Sequence, residues 1–212
     1  MLKKNIVVVD TGAGNIPSVF SALKAIESSV SVSCEIKEIK DASALVLPGV
    51  GAFPKFMENL ESRGLTEFVS HFVENGGALL GICVGMQAFA SGSEEFGFAS
   101  GLGMTAATVR NLFDLGVKNS RVPHVGWNVV NFSEQLDPDH PLRQIDKRHV
   151  YFMHSYALPY DASGQIGWTN HDVDFCSVIQ KNNAIGVQFH PEKSHRVGHD
   201  FLAAWIMSTN CS

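Results

Sequence analysis

The sequence has no apolar run long enough to cross a bilayer. Stretches such as Asn5 to Val9 and Ala78 to Leu80 fall far short of the roughly 20 residues that a spanning helix needs. It has no block of Lys or Arg, and with a net charge of −5 it offers no footprint for a nucleic-acid backbone. Cysteine is sparse: Cys34, Cys83, Cys176 and Cys211 form no CxxC pair and have no metal-ligand spacing with the histidines. Neither a disulfide framework nor a metal site is expected. Met1-Leu2-Lys3-Lys4 leads into a short apolar run that stops at Asp10, without the length or cleavage pattern of a signal peptide. The expected location is the reducing cytoplasm, or an organelle stroma if a transit peptide has been removed. No repeat, low-complexity tract or linker divides the chain, so one domain over residues 1–212 is the economical reading.

What is present reads as an α/β protein. Ile6-Val7-Val8-Val9 and Ala44-Leu45-Val46-Leu47 are continuous apolar runs, as strands buried on both faces of a parallel sheet require. Between them Ile16, Val19, Phe20, Leu23 and Ile26 share one helical face. Gly12 and Gly14 make a tight strand-to-helix turn, since no third glycine completes a phosphate loop. Leu65, Phe68, Val69, Phe72 and Val73 mark a second helix that stops at Gly76-Gly77. Later segments have strand-like composition: Thr105 to Leu112, Val129 to Phe132, Val150 to Ala157, Gln165 to Thr169, Phe175 to Gln180 and Ala184 to Phe189. Ser91 to Gly103 reads as a loop and Asp137 to Pro141 as a turn or helix start. A closing helix carries Phe201, Leu202, Trp205 and Ile206 inward. The expected fold is an open mixed, mainly parallel sheet flanked by helices.

The chain is organised around Gly81-Ile82-Cys83-Val84-Gly85, which ends an apolar run and precedes the helix start read at Gln87 to Ala90. Small residues two before and two after a central side chain are what a sharp strand-to-helix elbow needs. Such a turn exposes the Cys83 sulfur at a sheet edge. Taken alone, the pentapeptide fits a small buried cysteine equally well. Pro48-Gly49-Val50-Gly51 lets a backbone amide turn into a cavity, one way to build an oxyanion donor. His190-Pro191-Glu192 follows the last strand run, where an open α/β sheet places its ligands. Alternation along a strand sets His190 and Glu192 on one face, where a carboxylate can orient an imidazole that exchanges a proton with a thiol. A lone His-x-Glu is more often solvated surface; paired with an elbow cysteine it reads as nucleophile, base and orienter.

With both halves in view the sequence resembles the class I (triad) glutamine amidotransferases, which have a flavodoxin-like fold. More narrowly it is similar to the glutaminase subunits of imidazole glycerol phosphate synthases, of histidine biosynthesis. The resemblance is carried by Gly14-Asn15, Pro48 to Phe53, Gly81 to Gln87, Ser93-Glu94-Glu95, Gly101-Leu102-Gly103, Pro123-His124-Val125-Gly126-Trp127-Asn128, Tyr151 to Tyr156 and Gln188 to Ser194. It implies a catalytic set of Cys83, His190 and Glu192, acting on L-glutamine, with an oxyanion hole from the amides of Val50 and Val84. Gly49, Gln87, Glu95, Ser155 and Tyr156 would bind the substrate. Asn15, Trp127, Tyr151 and Lys193 would face a (β/α)8-barrel cyclase that receives ammonia and converts PRFAR to imidazole glycerol phosphate and AICAR. No cofactor is implied. Thr11 stands where the family often has Tyr, a departure expected to touch only the interface edge, and Asn111 to Arg121 carries no assigned role. A hydrolase working alone on γ-glutamyl amides, an inactive binding module and a glutaminase serving another synthase are the competing expectations.

Overall fold

The computed structural model describes residues 5–138 and 140–209. Met1-Leu2-Lys3-Lys4, Asp139 and Cys211 lie outside them. The first half alternates strand and helix: β1 (Ile6–Val9), α1 (Ile16–Lys24), β2 (Val30–Ser33), α2 (Ile36–Ile39), β3 (Ala44–Gly49), α3 (Phe53–Glu61), α4 (Leu65–Glu74), β4 (Ala78–Cys83) and α5 (Val84–Gln87). The second half is mostly strand: β5 (Gly92–Ser93), β6 (Ala99–Ser100), β7 (Thr108–Asn111), β8 (His124–Phe132), β9 (Arg148–His154), β10 (Tyr156–Pro159), β11 (Gln165–His171), β12 (Val173–Lys181) and β13 (Ala184–Val187), closed by α6 (His195–Ser208).

At the centre β2, β1, β3, β4 and β13 run parallel in that order, and β12 continues the sheet antiparallel beside β13. Beyond β12 the sheet branches, one way to β10 and β7, the other to β11, β8 and β9. The runs read as doubly buried strands are so: every residue of β1, β3 and β4 is buried. Their continuous apolar composition follows, because helices cover a parallel sheet on both faces. Register brings Gly49 opposite Cys83, and Ile82 opposite Val187. Three strand ends therefore converge on one edge of the sheet, where neighbouring loops build a ligand site.

Five local expectations are corrected. The helix after Cys83 is α5 alone, ending at Gln87. The carbonyls of Ala88, Phe89 and Ala90 accept the amides of Leu102, Thr105 and Gly103, which diverts them from a helical ladder. The Val150 to Ala157 run is two strands, because the chain leaves β8 at His154 and joins β12 and β7 from Tyr156. Ser91 to Gly103 contains the short antiparallel pair β5 and β6. The last strand stops at Val187, so His190 and Glu192 are not alternate strand residues; Pro191–Lys193 is a 3-10 turn. Thr11 is fully buried, its hydroxyl donating to the Ala13 carbonyl at 2.9 Å, so it shapes the first loop from inside rather than at an edge.

Candidate active site

Cys83 sits at φ 55°, ψ −109°, a conformation that L residues avoid and that costs about 1–3 kcal/mol. Close packing holds it there. A Cβ on Gly81 would lie 2.6 Å from the Gly85 carbonyl oxygen, and one on Gly85 would lie 1.8 Å from that of Leu47. A Cβ on Gly49 would meet the Gly85 amide nitrogen at 2.7 Å. Gly49 thus lets β3 close against the elbow, and its adjacent residue, Val50, reaches the pocket in front of Cys83. Val84 opens α5, so its amide has no acceptor within that helix.

His190 is anchored through its backbone: its amide donates to the Tyr151 carbonyl at 2.8 Å, and its carbonyl accepts the Ser194 hydroxyl at 2.7 Å. The 3-10 turn then swings Glu192 under the ring, where His190 Nδ1 donates to Glu192 Oε1 at 2.8 Å. Both side chains are 1% exposed. Burial opposes the imidazolium, but hydrogen bonding and charge attraction from Cys83 and Glu192 outweigh it and raise the His190 pKa to about 10. His190 is therefore an imidazolium at neutral pH, the form that can protonate a departing amine. Nε2, the nitrogen not held by Glu192, is buried without a hydrogen-bond partner of regular geometry.

These groups front a pocket of about 200 Å³. Of the residues singled out in the sequence, Val50, Cys83, Val84, Gln87, Glu95, Ser155, Tyr156 and His190 line it. Gly49 and Glu192 stand behind the lining. Glu95 Oε2 accepts the Phe53 amide at 2.7 Å, and the Gln87 side-chain NH2 donates to the Tyr156 carbonyl at 2.8 Å. Gln188 was not singled out, yet its buried amide bridges Gln87 to the sulfur: it accepts from Gln87 at 3.1 Å and donates to Cys83 Sγ at 3.6 Å. Its sequence signal is its place at the head of the Gln188 to Ser194 stretch, two residues before His190. Gly51, Pro123, Met153 and His154 complete the wall.

Asn15, Trp127, Tyr151 and Lys193 are away from the pocket lining. Asn15 precedes α1 as its N-cap. The other three form a cluster: Trp127 meets Tyr151 edge-on at 6.0 Å and stacks on His195 at 5.2 Å, and Lys193 Nζ lies 5.8 Å from the centre of the Tyr151 ring. Val125 and Met153, paired across β8 and β9, extend this exposed apolar face toward the pocket.

A strained thiol, a buried imidazolium–carboxylate pair and a lining of polar side chains are the parts of an acyl-transfer site. The chain is similar over most of its length to curated proteins named imidazole glycerol phosphate synthase subunit HisH. That of Halalkalibacterium halodurans is 39% identical over 199 residues, 92% of each chain. That of Lactococcus lactis is 37% identical over 205 residues, 96% of this chain and 98% of its own. Among solved structures, one described as a glutamine amidotransferase has a TM-score of 0.73 at 17% identity, covering 96% of this chain and 98% of that one, which speaks to fold alone. Another glutamine amidotransferase, from Thermotoga maritima, has a TM-score of 0.59 at 16% identity, covering 99% of this chain and 85% of that one. The family model described as glutamine amidotransferase class-I matches residues 7–208, and the chain belongs to that family.

Proposed function

We propose that this chain is the glutaminase subunit of an imidazole glycerol phosphate synthase. It forms one domain, hydrolyses L-glutamine to glutamate and ammonia, and passes the ammonia to a (β/α)8-barrel cyclase subunit that converts PRFAR to imidazole glycerol phosphate and AICAR. The observation that carries the chemistry is the buried His190–Glu192 pair beside Cys83. The Cys83 sulfur attacks the side-chain amide carbon of glutamine, and the amides of Val50 and Val84 hold the oxyanion that forms. His190 gives its proton to the amide nitrogen, the C–N bond breaks, ammonia leaves and a thioester remains. Water, giving a proton to His190, then attacks the thioester and releases glutamate and the thiol. Gln87, Glu95 and the backbone at Ser155 and Tyr156 hold the amino-acid end of the substrate.

The exposed Val125, Trp127 and Met153, with the half-buried Tyr151 and Lys193 beside them, support a partner on the pocket side of β8 and β9. Asn15 belongs to the same proposed interface. Among the described residues no helix is long and apolar enough to cross a membrane, and Cys34, Cys83 and Cys176 are free. These observations support a cytoplasmic location.

The isolated chain is expected to hydrolyse glutamine slowly, because Pro48-Gly49-Val50-Gly51 presents its oxyanion amide only when the partner and its ligand favour that conformation. The test is glutamate release by the chain alone, with the cyclase, and with cyclase plus PRFAR. A large rise only in the full mixture supports the proposal; equal rates in all three sink the conditional step. Cys83→Ala should abolish glutamine-dependent synthesis and spare synthesis from ammonium salts. Loss of both would refute the division of labour.

A further inference from the structure

One residue of the pocket wall, His154, pairs with a histidine behind it, His124; both are buried and the mechanism uses neither. His124 of β8 and His154 of β9 are opposite each other in register, and His124 Nδ1 is 3.1 Å from His154 Nε2. His154 Nδ1 is 3.0 Å from the Tyr156 carbonyl oxygen, and His124 Nε2 is 3.2 Å from the Asn128 side-chain nitrogen.

The two ends of this chain fix the direction of every bond in it. A carbonyl only accepts, so His154 Nδ1 carries a hydrogen. A neutral ring has one N–H, so His154 Nε2 accepts and His124 Nδ1 donates. At the far end Asn128 cannot be turned round: its oxygen accepts the Val129 amide at 2.8 Å and its nitrogen donates to the Asn170 carbonyl at 2.8 Å. The Asn128 NH2 therefore faces His124 Nε2 as donor, which again leaves the single hydrogen of His124 on Nδ1. Both ends select the same tautomers, and no second arrangement of two neutral rings satisfies all the partners. The surroundings keep the rings neutral. Phe152 stacks on His124 at 4.8 Å and Phe175 packs against both rings. The titratable groups acting on the pair are His171, stacked on His124 at 4.1 Å, and His190. Burial, then the neighbouring imidazoles, lower the pKa of His124 to about 4 and of His154 to about 3.

The chain ends on the carbonyl that also receives the Gln87 side chain, and Gln87 leads through Gln188 to Cys83. We propose that His124, which does not line the pocket, is a positioning residue for the glutamine site: through His154 it holds the Tyr156 carbonyl, and with it Gln87, in the substrate-binding arrangement. The inference rests on the proposed glutaminase reading. Its chemistry is that of a donor chain in which loss of one link leaves a buried acceptor unpaired and the next ring free to change tautomer.

The experiment compares His124→Phe, which keeps a packed ring and deletes the donor, with His124→Asn, which offers an N–H near the Nδ1 position. Both are assayed for glutamate release in the full complex with cyclase and PRFAR. For the Phe variant KM for glutamine is expected to rise about tenfold with kcat within about twofold, the cost of one unpaired buried acceptor. The Asn variant should recover most of that loss. An unchanged KM in the Phe variant, or an equal rise in both, would overturn the proposal, since the ring's packing would then be its whole role. A second measurement needs no turnover: ring-nitrogen NMR of the wild-type chain should place the hydrogen on Nδ1 of both residues from pH 6 upward. A hydrogen on His154 Nε2, or an imidazolium at either residue at pH 6, overturns it too. A wild-type complex that releases no glutamate under any condition would instead defeat the glutaminase reading, with the NMR result still deciding the direction of the chain.

Discussion

Replacing Glu192 by Gln tests whether one buried carboxylate sets the protonation state on which the chemistry depends. Glu192 Oε1 accepts from His190 Nδ1 at 2.8 Å, and both side chains are 1% exposed. Gln keeps the shape and one acceptor oxygen but removes the negative charge. Burial then acts against the imidazolium with only Cys83 opposing it, so the His190 pKa falls from about 10. In a pH–rate profile of glutamate release by the full complex, the high-pH limb moves down by one unit or more, and kcat drops by about 10²–10⁴ through loss of the proton donor. Stability changes in a defined window. The folded pKa of about 10 stands above the unfolded value of 6.5, so the native pair's contribution is complete below pH 6.5 and is lost as pH rises through about 10. The Gln variant should be less stable by about 3 kcal/mol at neutral pH, the low end for a broken buried pair because the ring can shed its proton. The gap should close toward pH 10. A high-pH limb that stays in place, or urea midpoints of the two proteins that run parallel from pH 6 to 10, would refute the reasoning.

Gly85→Ala forces a Cβ to within 1.8 Å of the Leu47 carbonyl oxygen, and a backbone oxygen in a central strand cannot step aside. A loss of about 3 kcal/mol in urea denaturation and of glutaminase activity is expected; wild-type stability would show that the elbow is not tightly packed. On acidification, folded His124 and His154 refuse protons that the unfolded chain takes up near pH 6.5. Their contribution is full above pH 6.5 and is lost as pH falls toward about 4 and about 3. The wild type should therefore lose up to about 3 kcal/mol more than His124→Phe between pH 7 and 4, and equal losses would contradict the assignment. The Asp172 carboxylate accepts the amides of Lys118, Asn119 and Ser120 and the Ser120 hydroxyl, which together hold it well below the usual carboxylate range. Asp172→Ala should speed amide exchange at 118–120 with glutaminase activity unchanged, and unaltered protection would remove that clamp from the description.

The sequence made β1, β3 and β4 readable because a strand covered on both faces has no polar positions to blur its pattern. α3, for which the sequence reading has no counterpart, does carry a signal: Phe53, Phe56, Met57 and Leu60 stand at helical spacing and are all buried. β2, β5 and β6 are short or partly exposed, and so few residues carry no periodicity. Cys83, His190 and Glu192 were legible because each sits in a local motif. The meeting of His190 with Glu192 was expected for the wrong reason: a 3-10 turn joins them, not strand alternation. Gln188, His124 and His154 lie in stretches that carry the family resemblance, yet no local pattern assigns any of them a role. The histidine pair depends on β8 lying against β9, a contact between residues thirty apart that composition does not reveal.

The packing around Gly49 has a mechanical consequence. Gly49 is clamped against the elbow, and the Phe53 amide is tied to Glu95, which leaves Val50, Gly51 and Ala52 as the whole span between two anchors. Gly51 sits at φ +89° with open space where a side chain would be. So short a span cannot sweep outward like a lid. Turning the Val50 peptide requires a crankshaft rotation, in which ψ of one residue and φ of the next change in opposite senses while the flanking chain stays still. Glu95 is at once the pocket's carboxylate and one of the two bearings of that crankshaft, so an ammonium group that draws the carboxylate toward itself loads the bearing at the far end of the span from the oxyanion amide.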